Sequence, residues 1–198
     1  RIEEILYEPE AETKEIQEQD KIIFNKGLEL HNISFGYPNS ANLAIDSLSF
    51  IFEKGKKYAI VGPSGAGKST LFDILLRFRE PTLGTISIDH QDVDSISFLN
   101  YRNLFGIVTQ EPILFNYSYE ENIAFDKINP DAVKSSLEVA NAFQFVNKMP
   151  TETQNALGER GNKLSGGEKQ RMSIARVAYR NPEIVLLDEA TSSLDSQN

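Results

Sequence analysis

The sequence predicts an α/β fold built on a mostly parallel sheet, and three observations predict it. Short apolar runs alternate with stretches of helical character along the chain. A glycine-rich loop stands between one such run, Tyr58-Ala59-Ile60-Val61, and the helical stretch after it. The run Ile184-Val185-Leu186-Leu187 is apolar at every position and ends in Asp188-Glu189. Strands apolar on both faces belong inside a sheet covered by helices, which is the parallel arrangement.

Taken in order, residues 1–26 stand apart. They are rich in Glu and Gln, with a brief apolar pattern at Ile2, Ile5 and Leu6. That composition suits a solvated linker, or the end of a helix arriving from a preceding domain. Leu28, Leu30 and, after a break, Ile33 and Phe35 predict a strand. Leu48, Phe50 and Phe52 predict another, and Asn39-Ser40-Ala41-Asn42 between the two reads as a turn, giving an antiparallel element. Tyr58 to Val61 is read as a strand, Thr70 to Phe78 as a helix, and Glu80 to Gly84 as a breaker. Thr85 to Asp89 and Gly106 to Thr109 follow as strands. Residues from about Glu120 to Met149 read as helical, with Asn129-Pro130 as an N-cap and first helical position. Ser165 to Arg180 is the clearest helix, and Ile184 to Leu187 a buried strand.

The chain has 198 residues, enough for one domain with its own core, with 40% apolar and 25% charged residues. Its net charge of −9 argues against a broad nucleic-acid footprint, while leaving room for a local phosphate pocket. Cysteine is absent, which rules out disulfides and thiolate metal sites. No apolar run approaches the ~20 residues that cross a bilayer. The chain begins at Arg1 without a secretion signal, and reads as a piece of a longer protein.

Gly62-Pro63-Ser64-Gly65-Ala66-Gly67-Lys68-Ser69, followed by Thr70, matches G-x-x-x-x-G-K-[ST] at every fixed position. The glycines let the backbone turn its N–H groups inward, and the next helix adds the positive end of its dipole. Lys68 supplies a full charge for the β- and γ-phosphates, and the Ser69 hydroxyl is suited to Mg²⁺. At the end of the apolar run 184–187, Asp188 is placed to hold Mg²⁺ and Glu189 to polarise an attacking water, because ligands in open α/β sheets gather at the C-terminal strand ends. Solvated acids at a plain strand end would look the same; the phosphate loop in the same chain favours the chemical reading.

Leu164-Ser165-Gly166-Gly167-Glu168 opens the long helix with the spacing of a capping box. A cap alone does not call for two glycines, which cost roughly 1 kcal/mol each against Ala in a helix. Their presence suits an anion approaching the bare N–H groups of a second helix N-terminus.

These residues resemble the LSGGQ-type signature of the ABC transporter ATPases, with Glu168 in place of Gln, and Lys169 to Arg176 continue the likeness. The resemblance implies an ABC-type core of the P-loop NTPase class, with an antiparallel β subdomain and an inserted helical subdomain over roughly 112–180. It implies that Tyr37 stacks on adenine, that Gln110 lies near Mg²⁺ and the attacking water, and that Ser193-Leu194-Asp195 form a D-loop at a dimer interface. Tyr37 as a turn aromatic and Gln110 as a surface amide stay open. The implied cofactors are ATP and Mg²⁺, with Ser69, Gln110 and Asp188 around the metal. Lys68, Gln110 and Glu189 are the implied catalytic set.

Asn122 to Phe125 and Leu157 to Gly161 are similar to ABC exporters of the lipid A or multidrug type. That likeness implies a linker over 1–26 from a transmembrane domain in the same polypeptide, an ATP-binding domain over 27–198, and a place on the cytoplasmic face of the plasma (inner) membrane. It implies a second ATPase domain closing head-to-tail over two ATP molecules, and no nucleic acid. Two departures stand out. Ala156 occupies a position where exporters often carry Glu. The family's switch histidine lies beyond Asn198, and His31 and His90 are too far upstream to replace it. The expected function is ATP hydrolysis driving export; the alternative is an ATP-holding module without turnover. A DNA-repair ATPase of this class would carry long heptad repeats between cradle and signature, and this chain has none.

Overall fold

The computed structural model describes residues 22–38, 40 and 42–188. Strands β1 (Gly27–Gly36) and β2 (Leu43–Glu53) pair antiparallel, as the two alternating runs predict. β1 also pairs antiparallel with β3 (Leu83–Ile88), and β3 with the short β4 (Gln91–Asp92), giving the order β2-β1-β3-β4. The break between Leu30 and Ile33 has a physical cause. Leu30 faces Phe50 and Ile33 faces Leu48, so β1 carries one extra residue at a bulge. Asn32 sits there at φ 50° and exchanges hydrogen bonds with Ser49: its N–H donates to Ser49 Oγ at 2.9 Å, and that hydroxyl donates to Asn32 Oδ1 at 3.0 Å. The bulge resets the pleat so that Leu28, Leu30, Ile33 and Phe35 are all buried.

Helix α1 (Lys68–Leu75) and helix α2 (Phe98–Asn103) cover this sheet. One core joins Leu28, Leu30 and Ile33 to Leu71, Ile74, Ile86, Ile88 and Tyr101. Tyr101 donates its hydroxyl to the Leu75 carbonyl at 2.6 Å, so α2 is pinned to the end of α1. Strand β5 (Phe105–Val108) pairs parallel with β6 (Ile184–Leu187).

Between these two strands the chain is helical: α3 (Tyr119–Ala124), α4 (Pro130–Val139), α5 (Phe143–Lys148), α6 (Thr151–Asn155) and the 15-residue α7 (Gly166–Arg180). The continuous helical reading of 120–149 is thus divided. Phe125 at φ 59° ends α3, Asn129 caps α4 by accepting from Asp131 and Ala132 N–H, and Asn141 at φ 52° follows the end of α4. A second core gathers Leu114, Ile123, Val133, Leu137, Leu157, Met172 and Ala175. α7 joins the two halves, because it packs on α3 and α4 and also on β5. There a Cβ on Gly106 would meet side-chain carbons of Val177, on α7, and Pro182, just beyond it, both at 2.6 Å, so the strand backbone packs directly on the Val177 side chain with no room for a side chain of its own.

Among the described residues the four-stranded sheet is antiparallel, and β5–β6 is the one parallel pair. Two strand expectations are corrected. The run Tyr58 to Val61 is not a strand, and Val61 is 91% exposed. The reason lies in Tyr58. Its ring joins Phe50 and Phe52 at 5.3 Å each, and its hydroxyl accepts from Glu53 N–H at 3.0 Å, so the run is tied to the end of β2 and not to the edge of β6. β6 is accordingly half-open, with Val185 46% and Leu187 55% exposed, where the sequence predicts full burial.

Candidate phosphate and base site

The loop 62–67 turns directly into α1. Gly67 is the N-cap at φ 86°, and a Cβ there would lie 2.5 Å from the Ala44 carbonyl oxygen, so glycine is required both by the turn and by the close pass of β2. Gly65 stands at φ 80° with open space around it. Ala66 N–H closes the turn on the Pro63 carbonyl at 3.2 Å. Lys68 is half-buried, and its ammonium donates to the carbonyls of Gly62 at 2.8 Å and Pro63 at 2.9 Å. The cation therefore lies over the loop itself. Ser64 and Ser69 are exposed, and Thr70 is buried.

Thr70 brings Tyr37 to this loop. The two hydroxyls are 2.9 Å apart across 33 residues of sequence. Phe35 meets the Tyr37 ring edge-on at 5.1 Å, and the Arg79 guanidinium lies over it at 4.8 Å. Arg79 Nε donates to Asp73 at 2.9 Å, and this bond is the main cause that holds the guanidinium pKa above its ordinary value. A cation, an aromatic plane and a phosphate-type loop are thus assembled on one side of α1.

Gln110 and Asp188 share the other end. Val108 faces Leu187 in the parallel pair, and Asp188 N–H donates to the Val108 carbonyl at 2.9 Å. Both residues accordingly leave the C-terminal edge of β5–β6 together. The described residues contain no group of three or more His, Cys, Asp or Glu able to hold a metal ion by themselves. By their chemistry alone, the Ser69 hydroxyl and the Asp188 carboxylate are oxygen donors of the kind that suits a hard cation such as Mg²⁺. Glu189 and Ser193-Leu194-Asp195 lie outside the described residues.

Ser165 caps α7 with a full capping box. Its hydroxyl oxygen accepts from Glu168 N–H at 3.3 Å, while Glu168 Oε2 accepts from the Ser165 N–H and hydroxyl, both at 2.8 Å. Leu164 packs into the second core, so the signature belongs to the helical half and the loop 62–69 to the other. Gly166 is exposed and Gly167 partly so.

Sequence reasoning missed the partners that hold these groups. Arg79 and Tyr37 are far apart in sequence, and nothing local to either announces the stack. Arg176, on α7, donates to the Ile113 carbonyl through both terminal nitrogens at 3.1 Å and to the Asn122 carbonyl at 2.9 Å, and it stacks on Phe125. Burial pushes its pKa down to about 10. Asn122 fastens the same segment, donating to the Phe115 carbonyl at 2.9 Å and accepting from Phe115 N–H at 2.8 Å. An arginine set between Ala175 and Val177 was the available signal for that anchor.

The family model described as ABC transporter matches residues 45–192. The chain is 43% identical over 173 residues to ABC transporter B family member 13 of Arabidopsis thaliana, covering 86% of this chain and 14% of that protein. It is 41% identical over 185 residues to the mitochondrial ATP-binding cassette sub-family B member 10 of Mus musculus, covering 90% of this chain and 26% of the relative. Among solved structures it is similar to a bacterial Atm1-family ABC exporter with ATP bound, at 41% identity and a TM-score of 0.83, covering 89% of this chain and 31% of that one. The chain thus spans less than a third of each of these proteins.

Proposed function

We propose that this chain, which belongs to the ABC transporter family, binds ATP at Gly62 to Thr70 and Tyr37 and hydrolyses it to drive export by a larger membrane protein. Membership makes an ATP-binding domain of exporter type the starting point; the residues supply the rest. The observation that carries the reading is the Tyr37–Thr70 bond. It places an aromatic ring beside a loop of phosphate-binding type, on the helix that the loop caps. Base and polyphosphate recognition are then one unit.

In this reading the Lys68 ammonium exchanges the Gly62 and Pro63 carbonyls for phosphate oxygens. Loop N–H groups and the start of α1 neutralise further charge. Ser69, Asp188 and Gln110 are the residues that would hold Mg²⁺, which would supply charge neutralisation to the phosphates. Glu189 accepts a proton as water attacks the γ-phosphorus and the bond to the ADP oxygen breaks. Ser165, Gly166 and Gly167 present α7's N-terminus to the nucleotide of a second ATPase domain, head-to-tail, and Ser193 to Asp195 line that interface. Residues 1–26 link to a transmembrane domain of the same polypeptide at the cytoplasmic membrane face, and 27–198 form the ATPase, with a helical subdomain over 112–180. Exposed Ile113, Phe115, Tyr117 and Phe125 offer apolar surface for such a partner. Tighter binding to the closed dimer than to the open one is what converts nucleotide binding into movement.

The test uses the full polypeptide. Lys68→Ala is expected to lose Mg-ATP uptake in calorimetry. Glu189→Gln is expected to keep uptake and dimerise with ATP, but release no phosphate. Uptake unchanged in Lys68→Ala overturns the site, and phosphate release unchanged in Glu189→Gln overturns the assigned base. The alternative of a nucleotide-holding module without turnover gains support only if the unsubstituted protein also releases no phosphate.

A further inference from the structure

Thr70 and Asp73 lie three positions apart on α1, and therefore on one face of it. Thr70 holds the Tyr37 hydroxyl at 2.9 Å. Asp73 holds Arg79 at 2.9 Å, and the chain folds back to make this possible, because the Asp73 carbonyl accepts from both Phe78 N–H at 2.8 Å and Arg79 N–H at 3.3 Å. The guanidinium so fixed lies 4.8 Å from the centre of the Tyr37 ring and 5.8 Å from that of Phe35. One face of one helix thus grips the aromatic residue twice, directly through its hydroxyl and indirectly through a stacked cation. Tyr37 as a residue keeps 38% exposure, which leaves it accessible to a flat partner.

We infer that Arg79 is a positioning residue of the base site: anchored by Asp73, it stacks on Tyr37 and holds the ring ready for a nucleotide base. This rests on the reading of Tyr37 as the base platform and adds to it a residue that touches no phosphate. The physical gain is preorganisation. A ring held through its hydroxyl, by Phe35 and by a cation loses less freedom when a base arrives. Arg is suited to the task because its planar guanidinium stacks and keeps a hydrogen bond to Asp73 at the same time; an ammonium cannot do both equally well.

The inference separates recognition of the base from recognition of the phosphates, and the test uses that separation. The full polypeptide is titrated with Mg-ATP and with Mg-tripolyphosphate, which has no base. Arg79→Ala is expected to weaken Mg-ATP by about two- to fivefold, the scale of a partly exposed cation–π contact, and to leave tripolyphosphate unchanged. Arg79→Lys recovers part of the loss. In a Tyr37→Leu background Arg79→Ala has no further effect. Equal weakening of both ligands by Arg79→Ala assigns Arg79 to the phosphates and overturns the inference, as does unchanged or tighter ATP binding. If Tyr37→Leu itself leaves ATP binding intact, the platform reading fails instead. Thermal unfolding of each variant, with unchanged tripolyphosphate affinity, shows that a loss is not misfolding.

Discussion

Asp89 follows β3 at φ 48° and turns its carboxylate back on the start of β1, where it accepts N–H bonds from Asn25 at 2.6 Å, Lys26 at 2.8 Å and Gly27 at 2.9 Å. Desolvation, the largest single influence, raises its pKa, but the bonds from Gly27, Asn25 and Lys26 together with the Lys26 charge outweigh it and hold the carboxyl below its ordinary value. A depressed carboxyl pKa stabilises the fold above the unfolded value and ceases to do so as pH falls through the folded one. Asp89→Asn tolerates the left-handed backbone and keeps one acceptor oxygen, so it removes the charge together with the bond made by the other oxygen. It is expected to cost about 1 kcal/mol in denaturant unfolding at neutral pH, with the difference from the unsubstituted protein shrinking only as pH falls below about 4 and vanishing once it passes below the folded carboxyl's depressed value. The sequence shows Asp89 as the end of a strand and no more, because its partners stand more than sixty positions away. The glycines, Lys68 and Ser69 were legible for the opposite reason: their chemistry is packed into adjacent positions.

At the scale of elements, α7 carries two readings of one residue. Ser165 caps the helix, and it is also proposed to face a partner's phosphate. Ser165→Asp tells them apart. Asp can still accept from Glu168 N–H but loses the hydroxyl bond to the Glu168 carboxylate, so the melting temperature is expected to fall by only a few degrees, while a negative charge at the helix start repels an anion. ATP-dependent dimerisation, measured by size-exclusion chromatography of the full polypeptide, is expected to be lost. Dimerisation that survives the substitution leaves Ser165 as a cap and nothing else. Helix starts such as Asn129-Pro130 and Ser165-Glu168 were readable because capping is local. The Tyr58 to Val61 run was misread because strand formation is not local: four apolar residues need a lateral partner, and here the Tyr58 side chain commits the run to β2 instead.

Over the whole molecule, α7 belongs to the second apolar core through Met172 and Ala175 and meets β5 through Val177 on Val108, which links that core to the strand side. Ile123, fully buried in the second core, tests how independent they are. Ile123→Ala is expected to cost about 2 to 4 kcal/mol, with hydrogen exchange accelerating in α3, α4 and α7 and staying slow in β1 and β3. Equal acceleration in both halves would mean that they unfold as one unit. The division was only half legible: the sequence predicts helices between β5 and β6, but which of them bury their faces together depends on contacts such as Arg176 with Ile113, set between elements distant in the chain. The bare crossing at Gly106 bears on this division. The Val177 side chain lies directly on the Gly106 backbone, in a close-packed crossing between the strand that leads to Gln110 and the helix that begins at Ser165. A side chain added at Gly106 would have to push the helix and the strand apart, and would shift the segments that follow both.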